Sequence, residues 1–312
     1  MELIKDFQNL SKNDTSIAGG KGASLGEMTN AGIPVPTGFV ILSSVFDYFI
    51  NQNLLNDKIG EILNKIDIHN TDSVDNASEI IQGLIMKLPL QKDYEYEILK
   101  KFRELNLKNV AVRSSATAED SLDISWAGEL ESYLNITEKS LLDSVKKCWA
   151  SLFTPRAIIY SKEKGNFEKN SVAVVVQEMI NPEISGVCFT QNPVTKNKNQ
   201  IVIEAGYGIG EAIVKGMITP DRYLIKKDEL IIEDVNIGFQ KIVIRQSKEG
   251  TKKTKLENEK QYKQKLNGRQ MIELSTLCKK IEKIYKRPQD IEWTFENNKF
   301  NIVQSRPITV NL

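Results

Sequence analysis

The sequence of 312 residues lacks several features that would assign it to a specialised class of protein. Its three cysteines, Cys148, Cys188 and Cys278, are scattered, so neither a disulfide framework nor a zinc-binding spacing is present. No apolar run approaches the roughly 20 residues that span a bilayer, and the start MELIKDF lacks the apolar core of a signal peptide. We therefore expect a cytoplasmic protein in a reducing compartment, with no part in the membrane.

The chain also lacks an excess of charge, because 42 basic residues stand against 41 acidic ones. Such a protein has no global field to attract nucleic acid, so no nucleic-acid partner is expected. The lysine-rich segment 241–269 is diluted by acids and predicts a solvated face or loop. Histidine is nearly absent, and His69 lies in a polar connection where solvent exposure is the ordinary expectation.

The segment from Asp290 to Arg306 has the clearest chemical pattern. Residues 290–295 alternate acidic and apolar side chains, as a half-buried strand does, and Asn-rich residues 297–299 predict a turn. A three-residue loop would set Glu292 opposite Gln304, with Asp290 and Arg306 on the same face. A two-residue loop would put Glu292 and Gln304 on opposite faces.

The first register would bring two carboxylates, an amide oxygen and a guanidinium to one surface. Hard oxygen ligands suit magnesium, and arginine suits phosphate oxygens. The alternative is an ordinary edge hairpin whose charges are solvated.

Two glycine-rich segments are candidates for binding phosphate. In IAGGKGASLGEM, residues 17–28, glycines around Lys21 precede a helix, although Thr15 and Gly22 depart from the P-loop pattern and a plain helix cap is the alternative. In GYGIGEAIVKG, a strand and glycines resemble the start of a Rossmann site, but Glu211 occupies the position of the third glycine. A glycine loop whose amides and Lys215 face phosphates is the simpler interpretation.

The remaining strands and helices frame these segments. A buried strand starting at Val110 is expected to release Arg113 and two serines into a turn, where arginine needs an anionic partner. Residues 171–178 predict a strand buried on both faces. Apolar spacing predicts helices over 138–153, ended by Pro155, and over 271–286.

Six motifs together resemble a known family, in order and over nearly the whole chain. They are GGKGASLGEMTNAGIPVPTGF, VAVRSSATAEDS, SWAGELESYLN, VVVQEMINPEISGVCFT, EAGYGIGEAIVKG and DIEW…IVQSRPIT. They are similar to the nucleotide-binding domain of phosphoenolpyruvate synthases, pyruvate phosphate dikinases and rifampicin phosphotransferases. The resemblance implies an α+β, ATP-grasp fold in which two lobes, residues 1–180 and 181–312, clamp a nucleotide.

The resemblance also implies roles for residues of this chain, with ATP and Mg²⁺ as ligands. The side chains matching catalytic positions, which would bind phosphates, are Lys21, Arg113 and Arg306. Those matching other nucleotide contacts are Gly128 and Ser132 of a phosphate loop (more often threonine at the latter position), Gln177, Glu178 and Ile180 of an adenine-binding hinge, and Glu211 near the phosphates. Those matching the magnesium site are Glu292 and Gln304, with Asp290 nearby.

The implied activity is donation of the β-phosphoryl group of ATP to a histidine, with AMP as product. Family members carry that histidine on a further domain, whereas His69 matches nothing catalytic. We therefore expect this polypeptide alone to bind Mg·ATP and to require a histidine domain, in trans or on a longer chain. The alternatives are a non-catalytic, regulatory ATP-binding module and an ATP-grasp ligase that releases ADP.

Overall fold

The computed structural model describes residues 2–117, 131–163, 171–248 and 250–308. The chain divides into two compact units, one formed by Met1–Glu27 with Thr37–Met179 and the other by Met28–Pro36 with Ile180–Leu312. The sequence-based division places residues 28–36 with the first part. In the structure they join the second, where Ile302 N donates to Pro34 O (2.8 Å) and Lys280 Nζ to Ala31 O (3.0 Å). Contacts so distant in sequence leave no local signal.

The first unit combines an antiparallel sheet with helices. Its strands are β1 (Ile4–Asp6), β2 (Gly38–Ile41), β3 (Val110–Ala116), β4 (Ser132–Ile136) and β5 (Val172–Glu178), in the order β1-β2-β5-β3-β4. Its helices are α1 (Thr15–Asn30), α2 (Ser43–Gln52), α3 (Leu55–Asn64), α4 (Thr71–Lys87), α5 (Lys92–Glu104), α6 (Glu138–Ala150) and α7 (Pro155–Glu163). As predicted, β5 is central and almost wholly buried, because its valines pack on both faces. His69 is exposed between α3 and α4.

One sequence-based expectation for this unit is wrong. Strand β3 does not turn at Arg113 but continues to Ala116, because buried hydroxyls find partners: Ser114 Oγ lies 2.9 Å from Ser151 Oγ, and Ser115 Oγ donates to Ala18 O (2.9 Å). The helical run that starts at Glu138 ends at Phe153, just before Pro155, as predicted. Pro155 in turn begins α7, as proline can in a first turn.

The second unit is built on a six-stranded antiparallel sheet and a separate hairpin. Its strands are β6 (Ile184–Phe189), β7 (Gln200–Tyr207), β8 (Asp221–Lys226), β9 (Ile231–Asn236), β10 (Ile242–Gln246), β11 (Thr251–Lys255), β12 (Gln289–Glu296) and β13 (Lys299–Pro307). The sheet order is β13-β12-β6-β7-β8-β9, and β10 pairs with β11. The lysine-rich segment 241–269 thus contains a hairpin in addition to loop, and β11 is exposed along its whole length.

The antiparallel pairing of β7 excludes the Rossmann alternative, which needs parallel strands. The following helix, α8 (Glu211–Val214), has only one turn. Gly208 is needed there for packing, since it has φ 84° and an added Cβ would lie 2.3 Å from Ile244 O.

A long helix, α9 (Gly268–Tyr285), completes the second unit. Asn267 and Gln270 form a capping box at its start, and the predicted apolar stripe is buried at Met271, Leu274, Cys278 and Ile281. The three cysteines are buried free thiols. Within the described ranges, no helix combines the length and apolarity required to cross a membrane.

Candidate functional site

The β12–β13 hairpin has the expected pairing of Glu292 with Gln304, but it combines a two-residue turn with a β-bulge. Its turn has two residues, Asn297 and Asn298, both left-handed (φ 51° and 59°), so Glu296 pairs with Lys299. A β-bulge then shifts the register by one residue, with Val303 as the additional residue of β13. The shorter of the two possible loops is therefore present, yet the side chains acquire the arrangement expected of the longer one.

The consequence of the bulge is a polar face. Glu292 pairs directly with Gln304, and Asp290 with Arg306, and paired residues of antiparallel strands share a face. Asp290 Oδ2 accepts hydrogen bonds from Arg306 Nε and also lies 2.9 Å from its terminal nitrogen. The four side chains are thus brought to one surface of the sheet.

The opposite face of the hairpin explains why this register is stable. Trp293 and Phe295 are buried there and contact Phe300, with ring centroids 5.6 and 4.7 Å apart. Ile302, opposite Trp293, is also fully buried. A register slip by one residue near the turn would expose these apolar side chains, so their burial fixes the turn half of the hairpin, and the bulge at Val303 then sets the polar pairs.

Glu204 and Arg222 extend the polar face, and sequence reasoning missed both. Glu292 pairs with Val187 on β6, Val187 with Glu204 on β7, and Glu204 with Arg222 on β8, so all share one face. The available signal was Glu204 itself, an acid inside the otherwise apolar run IVIEA. It has no meaning until the strand order is known.

In the first unit, the glycine segment around Lys21 packs against β3. Gly19 breaks α1 with φ 66°, and an added Cβ would lie 2.2 Å from Ser115 O, so glycine is required there. Gly22 N donates to Ser115 Oγ (3.2 Å). Lys21 is therefore held beside a strand position two residues from Arg113.

Arg113 lies in the middle of β3, between Val175 on β5 and Ser132 on β4. It is buried, and its NH1 donates to Gln177 Oε1 (3.4 Å). Gln177 is 1% exposed, and its Nε2 meets no hydrogen-bond acceptor within the described residues. A buried amide donor without an acceptor calls for an explanation, and a bound ligand is one.

The other predicted nucleotide contacts are more dispersed. Glu178 is exposed, and its backbone N–H donates to Thr37 O (2.7 Å). Ile180 O accepts from Gln246 Nε2 (3.0 Å). Glu211 forms an ion pair with Lys215 (2.7 Å), so the lysine expected to face phosphates has an acidic partner one helical turn away. Gly128 lies outside the described residues.

Comparison with known proteins decides the family. Residues 15–311 match the family described as pyruvate phosphate dikinase, AMP/ATP-binding domain. The chain belongs to this family. The motif resemblance noted from the sequence is thereby confirmed.

Relatives of this AMP/ATP-binding domain are longer proteins. A probable phosphoenolpyruvate synthase of Archaeoglobus fulgidus is 45% identical over 96% of this chain and 41% of its own length. The probable phosphoenolpyruvate synthase of Methanocaldococcus jannaschii is 42% identical over 99% of this chain and 27% of its own length. The rifampicin phosphotransferase of Bacillus cereus is 39% identical over 98% of this chain and 36% of its own length. The chain therefore spans less than half the length of each of these relatives.

The carboxylates of the domain's polar face influence one another. Burial raises the pKa of Asp290, an effect opposed by Arg306 and increased by the charge of Glu292. Burial also raises the pKa of Glu204, where Arg222 opposes the shift and the charge of Asp290 adds to it. Acids that repel one another in a partly desolvated place gain from a bound cation.

The donor set of this face is consistent with magnesium. In the described ranges, no group of three or more histidine, cysteine, aspartate or glutamate side chains is arranged to hold a metal ion. A cation here would depend on the Gln304 amide oxygen beside the acids. Magnesium is commonly held in this way, by one or two carboxylates with substrate phosphates and water completing the octahedron.

Proposed function

We propose that this chain binds Mg·ATP and donates the β-phosphoryl group to a histidine on another domain or chain, leaving AMP. The observation that carries the proposal is the bulged hairpin. It sets Glu292 opposite Gln304 and Asp290 opposite Arg306. Oxygen atoms that can bind a metal ion therefore lie beside a guanidinium that can bind phosphate. An edge hairpin with merely solvated charges has no need of a bulge that aligns them.

Magnesium would be held by Glu292 and Gln304, with Asp290 supporting them. One carboxylate oxygen of Asp290, Oδ2, lies 2.9 Å from two nitrogens of the Arg306 guanidinium. The first role of Asp290 is therefore to orient that guanidinium. The bound ion would neutralise charge on the phosphate oxygens. Arg306 would bind terminal phosphate oxygens, which its planar fork matches.

The first unit would contribute Lys21, Arg113 and Ser132 to phosphate binding, together with Gly128. The packing of Gly22 on Ser115 and the contact of Gln177 with Arg113 favour this role, because both restrict groups that would otherwise lose entropy on binding. The segment from Gln177 to Ile180 would hold adenine. In this proposal the two units clamp one nucleotide, as in an ATP-grasp fold.

The chemical step would be a displacement at the β-phosphorus. A bond from the acceptor imidazole nitrogen to the β-phosphorus would form as the bond to the oxygen retained by AMP breaks. The γ-phosphoryl group would move with the β-phosphoryl group, and attack of water on the γ-phosphorus would then break the β–γ bond and release inorganic phosphate. The protein's share is positioning and charge stabilisation, since a phosphoryl transition state needs little covalent help. The homologous phosphotransferases, which are longer, support a transfer that is completed by residues beyond this domain.

The test measures nucleotide products with a histidine-bearing domain supplied in trans. The unaltered chain should release AMP, and Glu292→Ala and Arg306→Ala should each lower the rate by about 10²–10³ while the circular dichroism spectrum and Tm stay close to the parent. Glu296→Ala, on the same strand beside the turn, is the matched control and should keep the parental rate. Normal turnover in both site variants, or ADP in place of AMP, would contradict the proposal.

A further inference from the structure

A second concave site lies in the same unit, beside the end of α9. It is a cavity of about 610 Å³ to which the loop after β6, the last turns of α9 and the segment entering β12 contribute. Six side chains that line it are basic: Lys198, Lys279, Lys280, Lys283, Lys286 and Arg287. The chain as a whole has 42 basic and 41 acidic residues, so this concentration of one sign departs from its average.

Charges around the cavity are arranged so that most of the positive charge remains available. Glu282 is the acid on its wall, and its Oε1 is 2.9 Å from Lys227 Nζ, so it is already compensated. Lys279 and Lys280 each donate one hydrogen bond to a backbone carbonyl, of Lys227 (2.6 Å) and Ala31 (3.0 Å). An ammonium group has three donors, so these bonds fix the two lysines and leave capacity for a ligand.

The ordinary explanation for such lysines is the helix dipole, which favours cations near a helix C-terminus. It accounts for Lys283 but not for Lys198, which comes from the loop between β6 and β7 and not from α9. The dipole also favours a cation at the C-cap of α9, where Lys286 lies, but it does not explain a residue other than glycine with φ 55°. Glycine is the residue that a left-handed cap ordinarily favours, so lysine is present there against the local conformational preference.

We propose that this cavity binds a small, multiply phosphorylated anion, at a site separate from the hairpin face. Its volume lies within the range of small-molecule sites, roughly 300–1,000 Å³. The guanidinium of Arg287 suits phosphate oxygens, and the surrounding ammonium groups balance several negative charges at once. Outside this cavity the chain has 36 basic and 40 acidic residues (42 − 6 and 41 − 1), so a small anion is favoured over a nucleic acid, which would need an extended basic surface.

The probe is inorganic tripolyphosphate, titrated calorimetrically into the Arg306→Ala protein in the absence of metal. The substitution reduces the contribution of the hairpin face to the measured heat of binding. A triple variant, Lys283→Glu, Lys286→Glu and Arg287→Glu, should weaken binding at least about tenfold. The matched control changes Lys252, Lys253 and Lys255 of exposed β11 to glutamate, the same change in net charge in the same unit. It should weaken binding less than about threefold. Equal losses in the two variants, or none in either, would overturn the proposal.

Lys286→Gly separates binding from stability. Relief of the left-handed backbone should leave the Tm unchanged or higher, while the tripolyphosphate affinity falls about two- to fivefold. A merely structural lysine would show no loss of affinity, and that result would count against the site. A labelled 20-mer oligonucleotide gives a further check. If it binds more tightly than tripolyphosphate and the triple variant abolishes this, the assignment to a small anion is wrong.

Discussion

Two aspartates of the six-stranded sheet, Asp221 on β8 and Asp290 on β12, have different surroundings and different roles. Asp221 and its partner Lys265 are both fully buried, 2.7 Å apart. The Asp221 carboxylate also accepts hydrogen bonds from Gly238 N, Lys265 N and the Tyr223 hydroxyl. Every donor comes from the same unit and ties strand β8 to two loops.

Asp290, by contrast, binds a guanidinium whose side chain is 44% exposed, and burial together with the charge of Glu292 raises the pKa of Asp290. Asp221 is surrounded by donors, whereas Asp290 belongs to a face where acids outnumber the bases near them. The first arrangement satisfies a buried carboxylate entirely within one unit. The second retains electrostatic strain that a bound cation would relieve, as functional sites often do.

The largest expected effect is on the stability of the buried pair. Asp221→Ala should lower the free energy of unfolding by about 3–5 kcal/mol, because Lys265 would keep a buried charge without a partner. Urea denaturation followed by circular dichroism measures this. The double variant Asp221→Leu, Lys265→Met should recover much of the loss, and a single variant as stable as the parent would show that the pair contributes little.

The same substitution at Asp290 should change stability little and should mainly weaken nucleotide binding. Asp290→Ala should change stability by less than about 1 kcal/mol, since its partner is half-exposed and the ion pair is partly screened. The affinity for Mg·ATP should nevertheless fall about tenfold, because Arg306 loses the contact that orients it. Calorimetry with a non-hydrolysable ATP analogue tests this. A large stability loss with unchanged affinity would make Asp290 another structural aspartate.

The smallest effect concerns the pH dependence of Glu204. Its pKa is raised in the folded protein, so the ionised carboxylate lowers stability above the folded-state pKa. That penalty disappears as pH falls below the unfolded value, about 4.3. Glu204→Gln should raise the Tm by about 1–3 °C at pH 7.5, a gain limited by solvent screening, and the gain should shrink towards pH 4.

The exposed Glu273→Gln variant on α9 is the control for Glu204 because it removes one charge away from the polar face. It should shift the Tm little at either pH. A gain for Glu204→Gln that is equal at pH 7.5 and pH 4 would show that the glutamate is not penalised by its surroundings.

Local patterns predicted much of the fold because they report which residues must be buried. The apolar stripe of α9, the buried valines of β5 and the alternation along β12 each located an element. Local patterns failed where a distant partner decided the conformation. Ser114 and Ser115 suggested a turn because the sequence does not show the Ser151 hydroxyl and Ala18 carbonyl that satisfy them inside a strand.

The same distinction applies to the candidate site. Sequence identified the polar residues of the hairpin but left two registers open, and neither included a bulge. The bulge at Val303 shifts Gln304 and Arg306 onto the face of Glu292 and Asp290, while the aromatic pairs nearer the turn keep the register of the two-residue loop. Glu204 and Arg222 were missed because their place on the face depends on strand order, and they lie 88 and 70 positions from Glu292 in the sequence.

The sequence by itself determined the family, through the resemblance of six motifs in order, and it determined the alternating strands and the residue types able to bind a cation and phosphate, which follow from local spacing. Only the tertiary structure decided which of those side chains share a surface and which acids lie near enough to repel one another. The reason is physical: burial and electrostatic interaction depend on distances in space, and strand pairing brings together residues that the chain keeps far apart.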